Sequence, residues 1–201
     1  MDRRPEQNAH HSFPRFHPHV TLATLKPAST TITATTSSES TSVATSDASN
    51  RERAATLLAL REALPLGQPA VKVRFERLIA GDHYFRSIYI ALQRSRELVE
   101  LREALGTTRG PEPPAFPHLS LYYIADEDAQ ERARVLQELE RENVLGRSAD
   151  GRGGVVLKCV SGEGPGILEG FLGTQIWIVD CEGPIEGWKV VDKILLAKSD
   201  R

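Results

Sequence analysis

Two short segments of the chain carry the same set of reactive side chains. Pro18–Leu22 (PHVTL) and Pro117–Leu121 (PHLSL) both read Pro-His-aliphatic-hydroxyl-Leu, and their histidines, His19 and His118, stand 99 positions apart. The bare pattern His-x-Ser/Thr also occurs at His10–Ser12, so it is not specific. The five-residue motif and its repetition are the specific evidence for a functional site. A single copy is typical of an ordinary polar strand face, whereas two copies with matched flanks favour one shared site.

The spacing within each motif predicts that it opens a strand. Successive side chains of a strand point to opposite faces, so the aliphatic residue and the leucine share the core face. His19 and Thr21 then share the other face, about 7 Å apart along the strand, and His118 and Ser120 do the same. Two such strands facing one another make a site with two imidazoles and two hydroxyls.

This set of side chains suits acid and base catalysis at phosphorus. Imidazole has an ordinary pKa of about 6.5, so one neutral and one protonated histidine can serve as general base and general acid near neutral pH. The hydroxyls of Thr21 and Ser120 can donate hydrogen bonds to phosphoryl oxygens. The motifs therefore predict hydrolysis of a phosphodiester. This chemistry needs neither a metal ion nor an organic cofactor, and we predict none.

A zinc site is the alternative interpretation of the histidines. His17, His19 and His118 could ligate zinc, which is bound by nitrogen, sulfur and carboxylate ligands. The pattern lacks a carboxylate or thiolate at ligand spacing, and a catalytic zinc site normally has three protein ligands. The acid–base interpretation is therefore favoured.

Length and charge limit the class of protein. The chain has 201 residues, with 25 Lys and Arg against 27 Asp and Glu. This fits one domain, which can consist of two small lobes, and gives no basic footprint for duplex DNA or an anionic membrane. No apolar run approaches the roughly 20 residues that span a bilayer, and the N-terminus lacks the apolar core of a secretory signal. We expect a soluble cytoplasmic protein with Cys159 and Cys181 reduced.

Two segments are predicted to be disordered. From Ser29 to Asn50, 14 of 22 positions are Ser or Thr without helical or strand periodicity, which predicts a flexible loop spanning residues 27–50. The first sixteen residues also have no periodic pattern. We therefore expect one domain over residues 17–196, interrupted by the loop and followed by a tail at 197–201.

The remaining segments alternate between helical and strand periodicity. A helix is predicted at Arg51–Leu64, another after the N-cap Ser95 up to Gly106, and a third from the cap Asp126 to Gly146. Predicted strands are Val71–Glu76 and Tyr84–Leu92 (a hairpin turning at Gly81-Asp82), His118–Ile124, Val155–Val160, Thr174–Cys181 and Trp188–Leu196. Because the late strands follow one another through short turns, the fold class is predicted to be α+β with antiparallel sheets.

The doubled motif resembles the two-histidine (2H) phosphoesterase superfamily, and within it the fungal and plant cyclic nucleotide phosphodiesterases. The matching stretches are Phe16–Leu22, Gly81–Ile90, Pro117–Tyr123, Ile176–Asp180 and Trp188–Asp192. The resemblance implies a bilobal fold, in which two antiparallel sheets face a central cleft and helices cover the outer faces. It also implies hydrolysis of nucleoside 2′,3′-cyclic phosphates to 2′-phosphates, and of ADP-ribose 1″,2″-cyclic phosphate, a by-product of tRNA splicing.

The resemblance also assigns roles to residues. His19 and His118 match the acid–base pair, with Thr21 and Ser120 as phosphate-binding hydroxyls. We assign His118 as the base that activates water and His19 as the acid that protonates the leaving oxygen. Aromatic residues at the family's cleft match Tyr84 and Tyr123, which implies contact with the base or ribose, although strand alternation places Tyr123 on the Leu119 face. Trp188 is expected to pack against other side chains of the fold and not to contact the substrate.

Family members usually have a strand and a helix before the first histidine motif, whereas eighteen residues precede His19. This predicts an exposed sheet edge and a less stable fold. Two alternatives stay open: a non-catalytic nucleotide- or RNA-binding relative, and an enzyme acting on 2′–5′-linked or cyclic-phosphate-ended RNA. The second would use Arg94, Arg96 and Arg102 as a basic groove. We expect a monomer that takes a small cyclic phosphate; Golgi association, as in some fungal relatives, stays open.

Overall fold

A computed structural model describes residues 12–25, 42–106, 113, 115–142, 144–147, 154–161 and 164–198. These residues form three α-helices: α1 (Ser42–Ala63), α2 (Arg96–Ala104) and α3 (Ala129–Arg141). They also form strands β1 (Val71–His83), β2 (Arg86–Leu92), β3 (His118–Tyr122), β4 (Leu145–Arg147), β5 (Val155–Ser161), β6 (Gly164–Leu168), β7 (Gly170–Gly173), β8 (Gln175–Asp180) and β9 (Lys189–Leu195). The predicted α+β class is confirmed.

The strands pair into antiparallel sheets, as the short connections predict. The largest has the order β3-β2-β1-β7, and smaller sheets have the orders β4-β5-β6 and β8-β9. The second histidine motif lies on β3, which is an edge of the four-stranded sheet. Its neighbour β2 is among the most buried elements, because Ile88 and Ile90 are both fully buried. The motif is therefore carried by a well-packed strand pair.

The hairpin of β1 and β2 turns later than predicted. The sequence suggested a turn at Gly81-Asp82, but β1 continues to His83 and the turn lies at Tyr84-Phe85. Gly81 instead lies where the pairing register shifts between Ala80 and His83. A Cβ at this position would lie 2.1 Å from the Arg86 carbonyl oxygen. The glycine therefore permits a close backbone approach at an irregular pair, which is a typical role of a glycine inside a strand.

Helix α1 begins nine residues before the predicted start at Arg51. The end of the Ser/Thr-rich segment, from Ser42, is therefore helical, which differs from the expected loop over residues 27–50. Extending an existing helix adds a hydrogen bond for each residue fixed, and Ser and Thr cost only a few tenths of a kcal/mol relative to Ala. Residues 26–41 lie outside the described residues, as does most of the proline-rich connector before Ala115.

The N-terminal segment is partly anchored, which differs from the predicted disorder of residues 1–16. Ser12 and Phe13 are buried, and the Ser12 hydroxyl donates to the Asp128 carboxylate at 2.6 Å. The same hydroxyl accepts from the Ala125 N–H at 2.9 Å, and the Phe13 N–H donates to the Tyr123 carbonyl at 2.8 Å. These long-range contacts leave no periodic signal in the sequence. Residues 1–11 lie outside the described residues.

The helix boundaries follow the predicted caps in one case and depart from them in another. Ser95 caps α2, since its hydroxyl accepts from the Leu98 N–H at 3.2 Å, and Gly106 follows with φ of 56°. Asp126, the predicted cap of α3, instead opens a 3₁₀ turn at Asp126–Asp128 and pairs with Arg132. None of the described helices combines the length and the apolar composition that a bilayer crossing requires.

Three short strands were missed by the sequence analysis, and their composition explains why. β4, β6 and β7 contain Gly146, Gly164, Gly166, Gly170 and Gly173, and glycine is depleted in strands. Gly170 lies against β1, where a Cβ would come within 1.9 Å of the Val73 carbonyl oxygen. Close backbone packing, rather than side-chain pattern, therefore places β7 in the main sheet.

Cys181 is an exposed free thiol, as expected for a reduced cysteine. The side chain of Cys159 lies outside the described residues, so its expected reduced state stays a prediction.

Candidate active site

The first histidine motif is not a regular strand, which corrects the sequence prediction. Within residues 12–25 the backbone pairs at a single isolated bridge, Val20 with Leu119 of β3. Pro18 has no N–H to contribute to a ladder. The His17 carbonyl is taken by the His19 ring, whose Nδ1 lies 2.7 Å from that oxygen. Local side-chain bonding of this kind competes with strand pairing.

The bridge nevertheless joins the central residues of the two motifs. Val20 and Leu119 both pack into the same apolar cluster, so they share the core face. In antiparallel pairing, the residues that flank a bridge face one another, which sets His19 beside Ser120 and Thr21 beside His118. Diagonal neighbours in such a pair are about 7–8 Å apart. This register puts the two histidines on the same side of the bridge, and the charge of His19 acts on the pKa of His118.

His118 occupies a half-buried position beside an aromatic ring. Its Nδ1 lies 3.2 Å from the Ala115 carbonyl oxygen, and its ring meets Tyr89 edge to face at a centroid distance of 5.3 Å. Burial lowers the pKa of His118 below its ordinary value, and the charges of Arg86 and His19 lower it further, against the opposing effect of the Ala115 hydrogen bond. His118 is therefore held neutral at physiological pH.

The side chain of His19 is exposed, and it is contacted by the His17 carbonyl and the Phe16 ring. Its Nδ1 lies 2.7 Å from the His17 carbonyl oxygen, and the Phe16 ring contacts it edge to face at 6.2 Å. A carbonyl oxygen can only accept, so Nδ1 carries the proton in both catalytic candidates. The Nε2 atoms of His19 and His118 are therefore the nitrogens left to exchange protons with a substrate.

The two motif hydroxyls differ in their surroundings. Ser120 is 5% exposed, and its hydroxyl donates to the Phe85 carbonyl at 3.0 Å. Thr21 is half-buried. Ser120 must exchange the Phe85 carbonyl for a substrate oxygen in order to bind phosphate, whereas Thr21 follows Val20, the residue that bridges to Leu119.

Tyr123 lies on the side of Ser120, and not on the Leu119 face that strict alternation predicts. The pairing of β2 with β3 shifts between Ile88 and Tyr89, which leaves Leu121 as an extra residue. A bulge of this kind changes the phase of alternation, so the residues beyond it exchange faces. Tyr123 consequently lies close enough to Ser120 for the serine hydroxyl to lower the pKa of the Tyr123 hydroxyl, against the larger raising effect of burial.

Tyr123 is buried inside an aromatic cluster. It is 3% exposed and stacks on Phe16 at a centroid distance of 4.2 Å, with Phe85 at 5.5 Å and Tyr84 at 5.7 Å. Burial raises the pKa of the Tyr123 hydroxyl, so it stays protonated. In this structure Tyr123 reaches the site through Ser120, whereas Tyr84 is half-buried at the hairpin turn. Trp188 stacks on Phe85 at 6.2 Å.

The sequence analysis missed three residues near the histidines. Tyr89 contacts the His118 ring, Arg86 acts on its charge, and Phe85 accepts from Ser120. Tyr89 could have been found, because it alternates with the core residues Ile88 and Ile90 on β2. The role of Phe85 rests on its backbone carbonyl and leaves no signal in side-chain type.

Among the described residues, no three His, Cys, Asp or Glu side chains lie close enough to hold a metal ion.

Comparison with protein families gives a match over most of the chain. A family model described as "Cyclic phosphodiesterase-like protein" matches residues 5–196, which include both motifs. No curated protein matches the chain at a significant level.

Proposed function

This chain belongs to the cyclic phosphodiesterase-like family of the 2H phosphoesterase superfamily, and from that premise we propose that it hydrolyses nucleoside 2′,3′-cyclic phosphates to nucleoside 2′-phosphates. The family supports cyclic phosphodiesterase activity in general; the cyclic nucleotide and the position of the product phosphate belong to the proposal. ADP-ribose 1″,2″-cyclic phosphate, the tRNA splicing by-product, is proposed as a second substrate because it presents the same strained five-membered ring. The bridge between Val20 and Leu119 carries the proposal, because it brings the two motifs together.

The reaction divides between the two histidines. The neutral His118 accepts a proton from water at Nε2, and the water oxygen attacks phosphorus. The bond from phosphorus to O3′ breaks, and the protonated His19 gives its Nε2 proton to O3′. The lowered pKa of His118 supports its role as the base, and the exposure of His19 allows it to be protonated again from solvent. No step requires a metal ion.

The hydroxyls are proposed to hold the phosphate during attack. Thr21 and Ser120 would donate to the two non-bridging oxygens, where charge accumulates in the transition state. Tyr84, at the turn beside the aromatic cluster, is the proposed contact for the ribose or base. Tyr123 is proposed to act by holding Ser120, since its ring is buried.

Product analysis of the full chain tests this proposal. The protein is incubated with 2′,3′-cyclic AMP in EDTA, and the 2′- and 3′-phosphates are separated by chromatography. We expect 2′-AMP, with kcat lowered by about 10²–10⁴ in His19→Ala and in His118→Ala, the range typical of a lost proton-transfer group. His83→Ala is the matched control, because His83 is an exposed histidine of β1. Binding without turnover would instead identify a non-catalytic relative.

A further inference from the structure

The guanidinium of Arg102 is buried without the partners that a buried charge normally has. Arg102 lies on α2 and is 5% exposed, yet its Nε and Nη2 atoms have no hydrogen-bond partner in the part of the chain that the structure describes. No carboxylate forms an ion pair with it among the described residues. Because burying an uncompensated charge is strongly unfavourable, such a group indicates a missing anion.

A second arginine lies against the same aromatic ring. The guanidinium carbons of Arg102 and Arg94 are 5.5 Å and 5.6 Å from the Phe116 ring centroid. Arg94 also donates to the Phe116 carbonyl at 3.3 Å. The two guanidinium groups that contact this ring bring N–H donors of the kind that binds phosphate to one place in the fold. The ring of Phe116 is thus contacted by the buried guanidinium of Arg102, which has unpartnered N–H groups, and by a second guanidinium, that of Arg94.

We propose that Arg102 and Arg94 form a phosphate-binding site beside Phe116, two residues before His118. The planar guanidinium matches the geometry of phosphate oxygens, and the unpartnered Nε and Nη2 of Arg102 form one such pair of donors. The ligand is a phosphate group, either free inorganic phosphate or a second phosphate on the substrate. The site is inferred from the surroundings of Arg102, and it does not depend on turnover at the histidines.

Thermal unfolding in inorganic phosphate tests the site. All variants carry His118→Ala, which weakens phosphate binding between the histidines. A ligand that binds only the folded state raises the unfolding midpoint. We expect phosphate to raise the midpoint of this background and of Arg96→Met, but to have much less effect on Arg102→Met. Arg96 is the matched control, because it lies on the same helix, exposed and paired with Glu100 at 2.6 Å.

Arg102→Met should fold, since methionine fills the space of the stem and removes the buried charge. Should its unfolding midpoint nevertheless be too low to measure, Arg94→Met replaces an exposed side chain and is expected to weaken the phosphate response as well. An equal phosphate response in the background, Arg102→Met and Arg94→Met would overturn the proposal, as would no response in any of them.

A calorimetric titration distinguishes the two sources of phosphate. The His118→Ala protein is titrated with adenosine 2′,3′-cyclic phosphate with and without a 5′-phosphate. If the substrate supplies the ligand, the 5′-phosphorylated compound binds about 10-fold more tightly and Arg102→Met removes the difference. If both compounds bind equally while inorganic phosphate still raises the midpoint, the ligand is free phosphate.

Discussion

The ring of Phe16 stacks on the ring of Tyr123 at a centroid distance of 4.2 Å and an interplanar angle of 12°. Phe16 precedes the first motif histidine by three residues, and Tyr123 follows the second by five. The stack therefore joins the two motif segments on the site side, while Val20 and Leu119 join them on the core side. His19 lies in a segment with one backbone bridge, so its position depends on these side-chain contacts.

Replacing Phe16 with alanine is expected to lower kcat/KM of cyclic AMP hydrolysis more than it lowers stability. An aromatic pair contributes about 0.5–1.5 kcal/mol beyond its buried area, and the same ring contacts His19 at 6.2 Å. The control is Phe171→Ala, which removes a half-buried ring that packs on Phe75 at 6.4 Å in the apolar cluster on the core side of the motifs. Steady-state kinetics and urea unfolding are measured on both. Equal losses of kcat/KM would contradict a positioning role for Phe16.

The pH dependence of kcat/KM should identify the base. The lowered pKa of His118 favours its neutral form, so the acid limb of the profile should lie below the ordinary pKa of histidine and report the protonation of His118. The charge of Arg86 contributes to this lowering. Arg86→Gln should therefore raise the pKa of His118 and move the acid limb of the profile to higher pH. Arg77→Gln, an exposed arginine on the neighbouring strand, should leave it in place.

The same pair of variants distinguishes the reverse assignment. If His118 were the acid, its protonated form would be the active one, and raising its pKa would move the alkaline limb instead. A profile in which Arg86→Gln shifts only the alkaline limb would exchange the roles proposed for His118 and His19.

The interaction between the hydroxyls of Tyr123 and Ser120 can be measured by a double-mutant cycle. Tyr123→Phe keeps the stacked ring and removes the hydroxyl, and Ser120→Ala removes the donor to the Phe85 carbonyl. We expect a coupling free energy of about 0.5–1.5 kcal/mol in urea unfolding, the net value of a typical hydrogen bond. Additive losses would show that the two hydroxyls do not interact in solution.

Kinetics of the same variants test how Tyr123 acts. A tyrosine that positions Ser120 should lose its effect once Ser120 is alanine, so Tyr123→Phe should lower kcat/KM in the natural background and change it little in Ser120→Ala. A direct substrate contact would instead give the same loss in both backgrounds.

The sequence alone identified what depends on residue type and short spacing. The core faces of Val20 and Leu119 and the Ser95 cap follow from such local rules, because alternation and capping act within a few residues. The position of Tyr123 does not, because it depends on a bulge that arises from pairing between β3 and β2. The periodicity of one strand does not show where its pairing with a neighbouring strand leaves an extra, unpaired residue.

Strand alternation also failed to predict the irregular geometry of the first motif, which arises from Pro18 and from the bonding of the His19 ring. His19 was expected on a strand, yet its ring takes up the His17 carbonyl and leaves one bridge at Val20. The burial of Ser12 and Phe13 depends on partners more than 100 positions away. These features are set by the assembled fold, and they determine how firmly the first histidine is held.

Gly81 offers a test of the hairpin that presents Phe85 to Ser120. A Cβ at position 81 would lie 2.1 Å from the Arg86 carbonyl oxygen and 3.1 Å from the Tyr89 ring, so Gly81→Ala must displace the start of β2. Overpacking of this kind costs about 1–3 kcal/mol. Because β2 carries Tyr89 beside His118 and follows the Phe85 carbonyl, the shift should lower kcat/KM as well as the unfolding midpoint. Gly187→Ala is the control, since a Cβ there meets nothing within 4 Å. Unchanged stability in Gly81→Ala would mean that β1 and β2 do not approach this closely in solution.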